Sequence, residues 1–142
     1  QHGHSLESWV EGWFKLHAYS LILMRNEGTP VIFWGDLYGT ENADAVGEGL
    51  NALIKLREEL NFGNQADYFD DPNVIGWTLT GDFDDIESGA AIIMTNANGG
   101  EKEMTISAIH EGETFVDLLG NNEAKIVLDE NGQGIFPEGS CT

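Results

Sequence analysis

The residues in this chain best suited to chemistry lie in the run Trp34-Gly35-Asp36-Leu37-Tyr38-Gly39. A carboxylate and a phenol two residues apart, just after an apolar stretch, can hydrogen-bond a polyhydroxylated ligand. In helix-wrapped parallel sheets, residues beyond the carboxyl ends of strands line active sites. The competing reading has Asp36 shaping an Asx turn and Tyr38 packed in place, and residue types alone favour it. The acidic run Asp82-Phe83-Asp84-Asp85-Ile86-Glu87 has the charge for a calcium loop but not the ligand spacing of a helix-loop-helix site. A solvated hairpin tip is the simpler expectation there, and a turn is the simpler expectation for Asp129, Asn131 and Gly132. His2 and His4 flank Gly3, His17 falls on an apolar helical stripe and His110 in a turn. No two histidines stand four apart on a helix, so the zinc-protease pattern is missing. No G-x-S-x-G elbow or phosphate-cradling glycine loop occurs either. The one cysteine, Cys141, excludes an internal disulfide and a Cys-based zinc site.

Two different periodicities must position these residues, and they change over near Gly63. Leu6, Trp9, Val10, Trp13, Phe14, His17, Leu21 and Met24 recur at three-and-four spacing and predict an amphipathic helix. Ser5 is its expected N-cap, Glu7 and Arg25 match the macrodipole at its two ends, and Gly28 and Pro30 end it. Val31 to Trp34 then form a continuous apolar run, which predicts a short strand covered on both faces, as in parallel sheets. Leu50, Leu53, Ile54, Arg57 and Leu60 predict a second helix closed by Gly63. A parallel strand is not stable singly, so its neighbours must come from outside these residues.

Past Gly63 the helical period disappears. Short strands are expected at Val74 to Leu79, Ala90 to Thr95, Glu103 to Ala108, Thr114 to Leu118, Lys125 to Leu128 and Gly134 to Phe136, with a last one beginning at Ser140. NANGG, HEGE, GNNE and DENGQG carry the Gly and Asn of tight hairpins. Together these predict a small antiparallel sandwich.

Composition bounds the partners. The 142 residues carry 25 acidic and 6 basic side chains, a formal net charge of −19. Scattered cations in so acidic a chain exclude nucleic acid and anionic membrane surfaces as partners. The longest apolar stretch, Leu21 to Met24, is far too short to span a bilayer. No basic-then-apolar targeting segment is read in these residues, so localisation stays open. The polar start QHGHS without an initiator Met points to a chain cut from something longer.

The order of these pieces resembles a known family. SLESWVEGWFKLHAYSLILMRNEGTPVIFWGDLYG resembles the seventh helix, eighth strand and following loop of the catalytic barrel of α-amylases, of the liquefying bacterial type and its fungal relatives. The matching residues are Trp13, Phe14, Lys15, Ala18, Tyr19, Pro30, Phe33, Gly35, Asp36, Tyr38 and Gly39. LIKLREELNFG is similar to the eighth barrel helix. ADYFDDPNVIGWTLTGD, SGAAIIMTNANGGEKEM and GETFVDLLGN resemble the family's C-terminal Greek-key domain. The likeness is collinear over essentially the whole chain. The family's Lys-Pro-Leu is replaced here by Lys15-Leu16-His17, and its Cys-Val-Phe-Tyr by Val31-Ile32-Phe33-Trp34.

The resemblance implies an α/β piece followed by an all-β piece. Residues 1–65 would be the last helix-strand-helix of a (β/α)8 TIM barrel, and residues 66–142 an antiparallel Greek-key β-sandwich. It implies a parent glycoside hydrolase that cleaves internal α-1,4 bonds of starch or glycogen with retention, using closely spaced carboxylates. Those carboxylates match no position in this chain, so the chain alone is expected to be inactive and to need the missing N-terminal barrel segment as its partner. Gln1 directly follows the family's third catalytic Asp, and Asp36 and Tyr38 fall at the cleft end of the last strand, so these three are the implied substrate-binding residues. Calcium is the implied cofactor of the parent. The positions matching one of its sites are Pro72, Asn73 and Asn96, where two amides replace aspartates and calcium affinity is expected to fall or vanish. A rival from another class is a noncatalytic carbohydrate-binding module stacking sugar on Trp77 or Phe115, and a third is a purely structural sandwich.

Overall fold

The computed structural model describes residues 10–60, 62–85, 88–96 and 99–138. The chain divides into two compact units, Gln1–Lys55 and Leu56–Thr142. No helix among the described residues is long and apolar enough to cross a membrane.

In the first unit a 3-10 turn, Gly12–Phe14, leads into α1 (Lys15–Leu23), followed by the short α2 (Trp34–Tyr38) and by α3, which starts at Glu48 and runs to Leu60. The expected N-cap Ser5 and first-turn Glu7 lie outside the described residues. Leu16, Ala18, Tyr19, Leu21, Ile22 and Leu23 distribute apolar side chains nearly all round α1, so its helical part lacks the one-sided stripe that the longer window predicts. Tyr19, Leu23, Met24, Leu50 and Leu53 form the buried set of this unit. Gly49 brings α3 close to α1: a Cβ there would stand 2.8 Å from Leu16 Cδ2.

The strand expected at Val31 to Trp34 does not form. Residues 31–33 are irregular, Phe33 has extended angles (φ −72°, ψ 128°), and the chain coils at Trp34 into α2. The physical reason is the one that makes single parallel strands unstable: unpaired N–H and C=O groups need a ladder on both sides, and this unit holds no strand among its described residues. Trp34 to Tyr38 satisfy some of those groups locally, the Gly39 N–H donating to the Gly35 carbonyl at 2.8 Å.

The second unit is antiparallel. Its strands are β1 (Gln65–Tyr68), β2 (Val74–Leu79), β3 (Ala90–Thr95), β4 (Gly100–Thr105), β5 (Thr114–Val116), β6 (Lys125–Val127) and β7 (Gln133–Glu138). They form a three-stranded sheet in the order β1-β2-β3 and two pairs, β4-β7 and β5-β6. β2 lies against β4 and β3 against β7. Side chains from all three sheets meet in one core: Met104, Ile106, Leu128 and Phe136 are buried, with Tyr68, Ile93, Phe115 and Ile126 packed on them. Tyr68 stitches β1 to β4, its hydroxyl accepting from the Thr105 N–H at 3.0 Å and donating to the Thr105 carbonyl at 3.3 Å.

Two connections differ from the expected hairpins. HEGE does not pair the strands that flank it, because β4 pairs with β7 instead. Ser107 accepts the Ile109 N–H and starts a 3-10 turn, Ala108–His110, that takes the chain out of the sheet. DENGQG is a tight turn, with the Asp129 carboxylate accepting the Asn131 and Gln133 N–H groups, yet it joins strands of different sheets. β1 was not among the expected strands, and the strand expected from Ser140 lies outside the described residues.

Candidate functional site

The lining of one groove in the first unit, about 660 Å³ in volume, includes Lys15 and Tyr19 of α1, Phe33, and Trp34 and Asp36 of α2. Lys15 and Tyr19 are four residues apart and therefore share one face of α1. Asp36 stands between them: its Oδ1 accepts from Lys15 Nζ at 2.6 Å and its Oδ2 accepts from the Tyr19 hydroxyl at 2.6 Å. The side chain is 15% exposed against 29% for Lys15, so the pair is shielded more than a surface ion pair. Burial by itself would push the Asp36 carboxyl up, but hydrogen bonds from Lys15 and Tyr19, together with the lysine charge, outweigh it and hold the group below its ordinary value. The Tyr19 phenol moves the other way, raised first by burial and then by its bond to the Asp36 carboxylate.

Tyr38 ends α2, and its ring centroid lies 5.1 Å from that of Trp34 at a tilt of 39°. The sequence pointed to this segment, but not to the arrangement in which Asp36 is engaged and Tyr38 is exposed. Lys15 and Tyr19 were legible only as matched residues; their convergence on Asp36 spans 21 and 17 positions and has no local signal. Gln1 lies outside the described residues.

The three positions matched to calcium come together in the second unit. The Asn96 N–H donates to the Asn73 carbonyl at 3.3 Å, next to the Val74–Thr95 pair that ends the β2-β3 ladder, and Pro72 precedes Asn73. All three are exposed. The set offers neutral oxygens, one of them already engaged by a backbone N–H. A hard dication needs carboxylate charge and convergent oxygens, so these residues do not fit calcium. Among the described residues no group of three or more His, Cys, Asp or Glu side chains is placed to hold a metal ion. The Asp82 to Asp85 segment is an exposed turn closed by Ser88, whose hydroxyl accepts the Asp82 N–H at 2.6 Å. His110 is fully buried between the Thr80 carbonyl (3.0 Å) and the Glu113 carboxylate (2.8 Å), away from solvent and ligand. Trp77 has no exposure, and Phe115 packs on the core cluster.

The fold places the chain among β-rich proteins with few helices. No family model matches it, but individual relatives do. It is 39% identical over 141 residues to the α-amylase of Bacillus licheniformis, covering 96% of this chain and 28% of that protein. The α-amylase of Geobacillus stearothermophilus is 38% identical, covering 94% of this chain and 25% of its own length. The cytoplasmic α-amylase of Escherichia coli is 37% identical, covering 93% and 29%. The chain belongs to the α-amylase family, and it spans little more than a quarter of the length of these relatives.

Proposed function

We propose that this chain is the C-terminal part of an α-amylase that hydrolyses internal α-1,4-glucosidic bonds of starch or glycogen with retention. In this reading residues 1–65 supply the closing helix, strand and helix of the (β/α)8 barrel and residues 66–142 a Greek-key β-sandwich. Retention needs a nucleophile and an acid/base roughly 5–5.5 Å apart. The resemblance puts those carboxylates in the preceding part of the barrel, so this chain contributes closure and cleft wall, with Gln1, Asp36 and Tyr38 in the wall. Calcium belongs to the parent enzyme and is not held by Pro72, Asn73 and Asn96.

The observation that carries this reading is the apolar surface of residues 10–38. Trp13, Phe33, Trp34 and Tyr38 are 63–70% exposed and Val31 is 80% exposed. A helix apolar nearly all round belongs inside a larger fold, and an exposed patch of this kind marks a surface that something covers. Strand composition at Val31 to Trp34 without a strand partner fits a barrel stave whose neighbours lie elsewhere. The carbohydrate-binding-module alternative loses Trp77, which has no exposure, and keeps only the half-buried Phe115, which packs on the core cluster.

The test is reassembly. The full chain is mixed with the preceding barrel segment of the Bacillus licheniformis relative and assayed on a chromogenic maltooligosaccharide. Activity is expected only in the mixture. Hydrolysis by the chain alone, or no complex between the two, overturns the proposal.

A further inference from the structure

We infer that Asp36 is a positioning residue of the cleft wall, which sets the aromatic pair Trp34–Tyr38 and does not itself bind sugar. This rests on the amylase reading for what the wall contacts, and on the geometry of residues 15–46 for everything else. Both carboxylate oxygens are taken, by Lys15 Nζ and by the Tyr19 hydroxyl, each at 2.6 Å. The backbone is taken as well: the Asp36 N–H donates to the Phe33 carbonyl at 3.0 Å, and the Asp36 carbonyl accepts the Val46 N–H at 2.8 Å. Tyr19 extends the web by accepting the Phe33 N–H at 3.4 Å. The Asp36 side chain therefore ties α2 to α1, while its backbone holds the entry to α2 and the returning loop.

Each oxygen could accept a second hydrogen bond, but the Asp36 side chain is only 15% exposed, so little of it is open to a sugar hydroxyl unless Lys15 or Tyr19 gives way, an unfavourable exchange. The two rings are in the opposite situation. Trp34 and Tyr38 stand one helical turn apart on α2, with 65% and 70% of their surface exposed, and present faces that a pyranose ring can cover. Gly35 between them and Asp36 is buried: a Cβ there would overlap the Phe33 ring and stand 2.7 Å from Thr40 Cγ2. The turn that presents the rings is thus packed from behind and aimed by Asp36.

The test compares Asp36→Asn and Asp36→Glu in the full chain with its tyrosine Cζ carbons labelled. In the wild type, the Tyr19 phenol is expected to ionise above the ordinary tyrosine value. In Asp36→Asn its titration moves to lower pH and the Trp34–Tyr38 ring contact is lost from the NOE spectrum, while Asp36→Glu keeps both in part. In the reassembled enzyme, Asp36→Asn is expected to raise KM for a maltooligosaccharide by about five- to tenfold with kcat nearly unchanged, and Tyr38→Ala to add little to it, because both act through one element. Fully additive losses would make Asp36 an independent sugar ligand and overturn the inference, as would an unmoved Tyr19 titration with the ring contact intact. If the spectroscopic changes appear but the wild-type reassembly is inactive, the amylase reading fails and the positioning role of Asp36 stands.

Discussion

The exposed surface of residues 10–38 should make the isolated chain self-associate, and the preceding part of an amylase barrel should displace that association. An aromatic side chain carries about 150–250 Å², so Trp13, Phe33, Trp34 and Tyr38, each 63–70% exposed, leave roughly 500 Å² uncovered. At about 25 cal/mol per Å² its complete burial is worth roughly 12 kcal/mol, against about 4–15 kcal/mol for the freedom lost on association. Two copies of one irregular surface cover it only in part, so self-association should be weak. A complementary segment covers the Trp13 and Phe33 part of it fully, leaving the cleft-facing sides of Trp34 and Tyr38 open, and should bind more tightly than a second copy. Phe33→Ser or Trp34→Ser removes about 1.5–3 kcal/mol of this, roughly ten- to a hundredfold in Kd. Sedimentation velocity with binding of an apolar dye reads both effects. A chain that stays monomeric at millimolar concentration and binds no dye refutes the reasoning, as does a Phe33→Ser chain that associates as well as the wild type.

Other outcomes follow from the second unit. Gly132 has φ +74° and a Cβ there would overlap the Ser107 carbonyl oxygen, while its own carbonyl accepts the Ile106 N–H at 2.9 Å. Gly132→Ala is therefore expected to destabilise the unit by about 2–3 kcal/mol, seen as faster amide exchange in β4 and β7; a change below about 1 kcal/mol would contradict the geometry. Burial, with Asp117 adding to it, pushes Glu138 up to about 7 from its ordinary 4.5. The folded state then holds a proton that the unfolded chain releases, so stability falls as pH rises between those two values. Because Glu138 is only half-buried and solvent screens part of the effect, Glu138→Gln should stabilise the unit above neutral pH by about 1 kcal/mol and leave it unchanged in acid, which denaturant midpoints at the two pH values will check. Millimolar calcium should not move the thermal midpoint of this chain, whereas Asn73→Asp with Asn96→Asp should make that midpoint rise with calcium; a rise in the unsubstituted chain would show that neutral oxygens suffice.

Much of the second unit was legible because its signals are local. β2 and β3 occupy the expected residues Val74–Leu79 and Ala90–Thr95, where β-branched and apolar residues run between turn residues. The β1 strand, QADY, is short and its two exposed residues, Ala66 and Asp67, are adjacent, so alternation gave no signal. The pairing of β4 with β7 was illegible for another reason. Which strands meet depends on how Met104, Ile106, Leu128 and Phe136 close into one core, and no turn sequence encodes that choice.

In the first unit the balance is reversed. The sequence alone determined that Val31 to Trp34 is apolar enough for an enclosed strand, that Leu50, Leu53, Ile54, Arg57 and Leu60 mark a second helix, and that Asp36 and Tyr38 sit beyond the apolar run. Tertiary structure alone decided that the run stays unpaired, since a ladder requires neighbouring backbone and not just suitable side chains. It alone brought Lys15 and Tyr19 onto Asp36, because an ion pair between residues far apart in sequence exists only once α1 and α2 are packed together. Residue type fixes what each group can bond; proximity fixes which bond it makes.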